Sequence, residues 1–384
     1  MRDKRSLIAA LLLMGGIALL AFYVWEQQEE AQQPTPVPAA TSASVAPSPT
    51  ATPSGTPLPV APTVTPEAFA PTYEQRFGVT GFADDVDAAL DLGLPFASYA
   101  DWNVREEAAR PQDVFFWQMI RLRDGEVHTP RENIDSALAA NPGATWLIGN
   151  EPDVVVQDNT TAERYAELYH ELYTYIKGRD PTAKIAIGGV SQPTPLRRAY
   201  LDIVLDTYEE RYGQRMPIDV WNVHAFTLRE EEGEWGIGIP PGMDDDLAMH
   251  YEIADHGNVD IFARNLVDFR EWMARRGYAD RPLLVSEFGF LMPYDFGFSE
   301  QDVVTFLEGS FDFLLNARND TGFAPDDGRL VQWWLWFIVS AGDDEFATSF
   351  LYDRDSGQLT NLGEAYGAFV RGAFVRAGEP EQEP

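Results

Sequence analysis

Two short stretches of the chain place a glutamate after an apolar run. Residues 145–153 read TWLIGNEPD and residues 281–290 read RPLLVSEFGF, so that Glu151 and Glu287 each follow β-branched, aromatic or aliphatic residues. Such runs are typical of strands that are covered on both faces. The glycine and the proline of the first stretch indicate that its strand ends at the glutamate. We therefore predict that both carboxyl groups lie at the C-terminal tips of buried strands.

A pair of such carboxyl groups can cleave a glycosidic bond. In the retaining mode, one carboxyl group protonates the leaving oxygen and the other, about 5 Å away, attacks the anomeric carbon. Glu151 is our first candidate for the acid/base, and Glu287 supplies the second carboxyl group that this chemistry requires. A solvated surface charge is the alternative reading of either residue taken alone.

The chain around these stretches alternates short apolar runs with amphipathic segments, the pattern of successive βα units. The helix after the fourth run is predicted to begin with a capping box of Thr160 and Glu163. Eight units fit a (β/α)8 barrel better than a doubly wound sheet, because the first run leads into FGVTGFADD, which lacks a phosphate-binding glycine pattern. The predicted strands are residues 77–80, 95–99, 114–122, 145–149, 184–190, 218–226, 282–288 and 330–339.

In this arrangement the chain resembles the retaining (β/α)8 glycoside hydrolases of clan A. The resemblance covers residues 73–374 and is most specific at Asn150–Glu151 on strand four with Glu287 on strand seven. It implies that Glu151 is the acid/base, that Glu287 is the nucleophile, and that Asn150 hydrogen-bonds the sugar 2-hydroxyl.

The resemblance also implies substrate contacts on strands six and eight. Asn222 and His224 lie on one side of strand six by the two-residue period, and His224 would orient the nucleophile or contact the sugar unless it is a core histidine. An aromatic residue at the tip of strand eight would form the floor under the sugar ring. Trp336 is the first candidate and Trp334, on the same side, the second.

Residues near the second and third strands could line the same mouth. Tyr99 is our candidate for substrate contact, and Asp101, Trp102, Gln118 and Arg121 could also face it. The arginine that the family usually carries near an early strand has two possible counterparts, Arg121 and Arg105.

A metal site is the alternative use of His224. The long loop after strand six contains His250, Glu252 and His256, which could join it, but their spacing matches no established zinc signature. We therefore expect neither metal nor cofactor.

Composition limits the partners. Lys and Arg total 28 against 61 Asp and Glu, a formal net charge of −33, which disfavours nucleic acid and leaves neutral sugars acceptable. There is no cysteine, which excludes thiol catalysis, disulfides and a lipid-modified cysteine.

The N-terminal 72 residues of the chain are organised differently. Residues 1–31 contain a basic flank and an apolar run, residues 7–25, followed by glutamates, and are predicted to form a transmembrane signal-anchor. A cleaved signal peptide is the alternative. Residues 32–72, rich in Pro, Ser, Thr and Ala, are predicted to be a disordered linker, residues 73–376 the barrel, and residues 377–384 an acidic tail.

These features predict an exported retaining β-glycosidase that acts on oligo- or polysaccharides. The barrel is expected outside the cell membrane, attached only through the N-terminal helix, and monomeric; release after signal cleavage is the alternative. A non-catalytic carbohydrate-binding barrel at the cell surface is the alternative function, because it would keep the aromatic residues without needing either glutamate.

Overall fold

The computed structural model describes residues 70–107, 114–342 and 346–378, with side chains to residue 372. The predicted signal-anchor, the predicted linker up to residue 69 and the acidic tail from residue 379 lie outside the described residues. Among the described helices, none combines the length and apolar character needed to cross a bilayer.

Eight parallel strands form a closed ring in the described part of the chain. β1 pairs with β2 and with β8, and this second pairing closes the ring. β5 and β6 are joined only by the bridges Ala186–Val220 and Val190–Val223. The strands are β1 (Phe77–Thr80), β2 (Ser98–Ala100), β3 (Phe115–Phe116 and Gln118–Ile120), β4 (Thr145–Asn150), β5 (Lys184–Gly189), β6 (Trp221–His224), β7 (Leu283–Phe288) and β8 (Trp333–Trp336).

Seven helices follow these strands on the outside of the ring, and the described residues between β2 and β3 contain no helix. They are α1 (Ala83–Asp91), α2 (Arg131–Ala140), α3 (Ala162–Arg179), α4 (Pro195–Tyr212), α5 (Val259–Arg275), α6 (Glu300–Asn316) and α7 (Asn361–Gly378). The predicted barrel order of strands and helices is confirmed.

Local signals set several helix ends. Gly213, with φ 67°, ends α4, because a left-handed residue closes the last turn at little cost for glycine. The predicted capping box of α3 is wrong by one residue. Thr161 accepts from the backbone N–H of Arg164, whereas the hydroxyl of Thr160 donates to the carbonyl of Asp158.

The strands alternate between a face toward the barrel axis and a face toward the helices. Tyr99, Val79 and Trp336 are register partners across β2, β1 and β8, so their side chains share one face. Trp336 packs against Phe311 of α6 at a ring-centroid distance of 6.3 Å, which identifies this as the outer, helix-covered face. Residues of the opposite parity on β8 therefore point toward the axis.

Candidate active site

Glu151 lies where β4 ends and the chain turns across the barrel mouth. Its φ is 47°, a left-handed conformation that is uncommon outside glycine and marks a constrained turn. Its backbone N–H donates to the carbonyl of Gly189 on β5 at 2.9 Å. The buried carboxylate of Asp158 accepts from the N–H of Asn150 at 2.7 Å. The tip of β4 is thus held from both sides.

Glu287 lies on β7 next to a shift in strand register. The pairing of β7 with β6 slips between Val285 and Glu287, and such irregularities re-aim a side chain relative to the regular strand. The indole N–H of Trp102, a residue with φ 62° after β2, donates to Glu287 Oε1 at 2.8 Å. Both glutamates are buried, with 6% of Glu151 and 4% of Glu287 exposed.

His224 connects the two glutamates. Its Nδ1 lies 2.9 Å from Glu151 Oε1 and 3.6 Å from Glu287 Oε2. One carboxylate oxygen of each glutamate and a ring nitrogen of His224 all lie within 4.8 Å of one another. This upper limit on the distance between the two carboxylate oxygens is consistent with the roughly 5–5.5 Å of retaining glycosidases and lies below the roughly 6.5–9.5 Å of inverting ones.

The pKa values of Glu287 and His224 are both shifted from their ordinary values. Burial and the Glu151 carboxylate raise the pKa of Glu287 to about 7, although His224, Trp102 and Arg121 act in the opposite direction. Burial disfavours the charged form of His224, but the carboxylates of Glu287 and Glu151 outweigh it, so the pKa of His224 is raised. The arrangement therefore lets protons be held and exchanged near neutral pH.

A central pocket of about 510 Å³, including its open mouth, leads to the two glutamates. Aromatic rings form much of its wall: Trp102, Phe226 and Phe346 all pack around Phe337, with ring-centroid distances of 6.1, 5.8 and 5.6 Å. The polar wall and the remaining apolar wall consist of Arg121, Asn150, Gln157, Leu228, Ile237 and Leu291. An aromatic wall beside carboxyl groups suits a sugar, whose ring has apolar C–H faces and polar edges.

A second cavity, the outer groove, adjoins this pocket. Including its open mouth, it has a volume of about 1600 Å³, and it is lined by residues 154–156 of the loop after β4 and by residues 231–234, 236–240 and 243–245 of the loop after β6. Ile237 lines both cavities. The groove can therefore extend the binding surface beyond one sugar.

The structure brings only some of the predicted site residues to the pocket. Glu151, Glu287 and Asn150 line it. His224 contacts both glutamates but does not itself line the pocket. Asn222 shares the face of His224, because both approach Gly189, but it is 1% exposed and does not line the pocket. The predicted contact by Asn222 thus has no direct geometric support.

Three predicted aromatic contacts are not at the pocket. Trp336 and Trp334 are fully buried on the helix-facing side of β8, and the Trp336 indole donates to the carbonyl of Ser349 at 2.8 Å. Tyr99 shares that outer face and packs on Phe116. The expected side of β8 was inverted: Phe337, one residue beyond Trp336, is the strand-eight aromatic that lines the pocket.

Two of the candidate residues near the second and third strands lie at the pocket. Trp102 and Arg121 line the pocket, whereas Arg105 is paired with the buried Asp101. Arg121 Nε donates to Asp158 Oδ1 at 2.8 Å, which fixes the guanidinium beside the pocket. The sequence analysis did not single out Phe226, although it continues the two-residue period of Asn222 and His224 just beyond the end of β6. It also missed Phe346, which lies in a loop, where no strand period indicates a direction.

The histidines that suggested a metal site do not come together in the described structure. His256 Nε2 accepts from the N–H of Leu291 at 2.8 Å and its Nδ1 lies 3.0 Å from the carbonyl of Thr227, while His250 is exposed. Burial lowers the pKa of His256 to about 4, consistent with a neutral structural imidazole. Glu151, His224 and Glu287 are the group of described residues whose donor atoms could hold a cation.

Comparisons with known proteins agree with the fold. No protein-family model and no curated protein matches the sequence. Among solved structures, the chain is similar to a GH128 (subgroup III) curdlan-specific exo-beta-1,3-glucanase from Blastomyces gilchristii in complex with glucose, with a TM-score of 0.51, 19% identity, and 76% of this chain and 97% of that chain covered.

Two further structures give the same result. A GH128 (subgroup II) endo-beta-1,3-glucanase from Pseudomonas viridiflava matches with a TM-score of 0.51, 19% identity, and 76% and 96% coverage of the two chains. A GH128 (subgroup I) endo-beta-1,3-glucanase from Amycolatopsis mediterranei in complex with laminaritriose matches with a TM-score of 0.50, 19% identity, and 77% and 99% coverage. The resemblance to barrel glycoside hydrolases is confirmed at the level of the fold.

Proposed function

We propose that the chain is a retaining glycoside hydrolase that cleaves β-glucosidic bonds, with a beta-1,3-glucan as the substrate class. The observation that carries the proposal is the buried arrangement of Glu151, Glu287 and His224 at the barrel mouth. One carboxylate oxygen of each glutamate and one ring nitrogen of His224 lie within 4.8 Å of one another. The structural neighbours named above, which are beta-1,3-glucanases, support the choice of glucan.

In the first step, a carboxylate oxygen of Glu287 attacks the anomeric carbon. The bond from that carbon to the leaving oxygen breaks, and the leaving oxygen takes the bond's electron pair together with the proton of Glu151. In the second step, the Glu151 carboxylate takes a proton from water as the water oxygen attacks the same carbon. The ester bond breaks, its electrons return to Glu287, and Glu151 is protonated again. Two displacements leave the anomeric configuration unchanged.

The neighbours of the two glutamates support these roles. The indole N–H of Trp102 stabilises the negative charge on Glu287, and Arg121 acts on it electrostatically in the same direction. Asn150 lines the pocket beside Glu151, where its amide can bond a sugar hydroxyl. Trp102, Phe226 and Phe337 offer ring surfaces to the apolar faces of the glucose unit.

Exchange of each glutamate for glutamine tests the proposal. On a soluble beta-1,3-glucan, Glu151→Gln and Glu287→Gln should each lose about 10²–10⁴-fold or more in kcat, the range that a positioned proton donor supplies. Glu151→Gln should recover part of the rate on 2,4-dinitrophenyl β-glucoside, whose leaving group needs no proton, and azide should accelerate it further. Glu287→Gln should not recover on this substrate, because a better leaving group does not replace the missing nucleophile. Any glucosyl azide that it forms should have the α configuration, whereas Glu151→Gln should form the β azide.

The exposed Glu132 on α2 provides the matched control, and Glu132→Gln should keep the wild-type rate. NMR of the first product should show retained β configuration. Unchanged glucan hydrolysis in either pocket variant, or an inverted first product, would refute the mechanism. Glucan binding without hydrolysis by the wild-type protein would favour the carbohydrate-binding alternative. Activity that survives exhaustive chelation is expected, and its loss would instead place a metal at Glu151, His224 and Glu287.

A further inference from the structure

A fully buried ionic cluster lies beneath the loops of the barrel mouth, and its members make no hydrogen bond to the side chains of Glu151, His224 or Glu287. Arg197, in the first turn of α4, lies between two carboxylates: its Nε is 3.1 Å from Asp153 Oδ2 and its Nη1 is 2.8 Å from Glu230 Oε1. All three side chains are completely shielded from solvent. Burying such charges is costly, and a cluster of this kind is retained only where its geometry is well satisfied.

Each member of the cluster belongs to a different strand–helix unit of the barrel. Asp153 follows the tip of β4, Arg197 begins the helix after β5, and Glu230 lies in the long loop after β6. The Oγ of Ser191 in the β5 loop donates to Asp153 Oδ2 at 2.7 Å, and Gln192 Nε2 donates to Glu230 Oε1 at 2.9 Å. One guanidinium thus holds together the three loops.

The same guanidinium reaches the outer groove. Its Nη2 donates to the carbonyl of Gly238 at 2.9 Å, in the wall that also contains Ile237. This wall is folded tightly: at Gly236, with φ 117°, an added Cβ would lie 2.2 Å from the carbonyl oxygen of Arg229. Glu230 Oε2 accepts from the N–H of Met249 at 2.6 Å, which fastens the far end of the loop.

The opposite wall of the groove depends on the other side of the cluster. It consists of residues 154–156, which directly follow Asp153, and Val155 is 59% exposed. Val154 is buried in the core, whereas Val155 and Val156 are exposed at the outer edge, so Asp153 and Val154 are the buried anchors of this segment. Arg197 therefore contacts the supports of both walls.

We propose that Arg197 is a positioning residue that sets the width of the outer groove and thereby the binding of β-glucan units beyond the central pocket. This inference rests on the proposed function for its substrate. Glu151 itself is held separately, by the carbonyl of Gly189 and by His224, so Arg197 acts on the binding of long substrates rather than on bond cleavage.

Kinetics with substrates of two lengths test this role. In Arg197→Lys, which keeps the charge but loses the planar fork of donors, the KM for laminarihexaose should rise about tenfold, as loss of about one good contact implies. Its kcat should change less than about threefold, and both constants for 4-nitrophenyl β-glucoside should stay near wild type. Glu230→Gln, which preserves the side-chain shape, is a second variant with the same expectation.

Arg270 supplies the matched control. It is also completely buried, but it donates to the carbonyls of Ala279, Arg281 and Thr321 at the opposite end of the barrel. Arg270→Lys should lower thermal stability without changing the ratio of KM values for the two substrates. An equal change of that ratio in Arg197→Lys and Arg270→Lys, or no change in Arg197→Lys, would overturn the proposal.

Hydrogen exchange provides a measurement that does not need activity. Peptides covering residues 153–160 and 228–249 should exchange faster in Arg197→Lys than in wild type, and should not do so in Arg270→Lys. Unchanged exchange in both segments would overturn the role of Arg197 even if the glucan proves to be the wrong substrate. A wild-type protein that hydrolyses no glucan would refute the proposed function alone.

Discussion

Two neighbours of Glu287 act on its charge in opposite directions. The carboxylate of Glu151 disfavours a second negative charge nearby, whereas the indole N–H of Trp102 stabilises that charge through a 2.8 Å hydrogen bond. Together with burial, which has the largest effect and raises the pKa, and with His224, which lowers it, they leave the pKa of Glu287 at about 7. Because a nucleophile must be ionised, we expect kcat/KM to fall as the pH drops below this value.

Removal of the Trp102 indole donor should shift the acidic side of the pH profile of kcat/KM, its acid limb, to higher pH. Trp102→Phe keeps a ring in the pocket wall but leaves ionised Glu287 without the hydrogen bond, so the pKa of Glu287 rises. A hydrogen bond to a charged group contributes about 1.5–3 kcal/mol, which corresponds to an upward shift of about one to two pH units. The measurement is the pH dependence of kcat/KM in wild type and variant.

Trp117 is the control for this variant. It is a buried tryptophan that packs on Trp333 and contacts neither glutamate. Trp117→Phe should leave the acid limb in place, whatever it does to stability. A Trp102→Phe profile that coincides with wild type would show that the hydrogen bond does not control the ionisation of the nucleophile.

At the scale of the element, the tips of β4 and β7 could be predicted from sequence, but the direction of β8 could not. Glycine and proline next to Glu151 identify a strand end by backbone chemistry alone. The β8 sequence WWLWF is apolar on both faces, because one face packs on helices and the other on the barrel axis. A shift of one residue exchanges the faces, so the sequence offered no means to choose Phe337 over Trp336.

Gly189, at the tip of β5, leaves space for the imidazole of His224. A Cβ at Gly189 would lie 2.6 Å from Cδ2 and 2.8 Å from Nε2 of His224, so the imidazole can bridge the two glutamates only while this position has no side chain. Gly189→Ala should displace the ring and reduce kcat by about 10–100-fold, the cost of a misplacement near 1 Å. Steady-state kinetics on the glucan measure this effect.

Gly178 provides the control that separates displacement of the His224 ring from a general effect of a glycine-to-alanine substitution. Gly178 lies within α3, and an added Cβ there meets no atom within 4 Å. Gly178→Ala should keep full activity and stabilise the fold by about 0.5–1 kcal/mol, because glycine loses more backbone entropy than alanine in a helix. A Gly189→Ala enzyme with wild-type kcat would argue against the bridging role of His224.

At the scale of the whole molecule, the net charge of −33 and the carboxylates along the outer groove act on any charged substrate. The groove carries Glu231, Glu232, Glu234, Asp244 and Asp245. We expect kcat/KM for a carboxymethylated beta-1,3-glucan to be lower than for the neutral glucan, because like charges repel as the chain approaches. The difference should narrow between about 0.01 M and about 0.15 M salt, as the Debye length falls from about 30 Å to about 8 Å.

Two sets of charge-neutralising variants distinguish the groove from the rest of the surface. Glu232→Gln/Glu234→Gln/Asp244→Asn removes three groove charges, and the control Glu209→Gln/Glu210→Gln/Glu271→Gln removes three from the C-terminal ends of α4 and α5, at the opposite end of the barrel. Both variants reduce the net negative charge by the same amount. If only the net charge mattered, kcat/KM for the anionic glucan would rise equally in the two. We expect a larger gain from the groove variant, because unscreened repulsion grows as the distance to the bound chain falls. Equal gains in kcat/KM for the two variants would mean that the outer groove does not bind the substrate. Charges next to a bound glucan lie much closer to it than charges at the far end of the barrel.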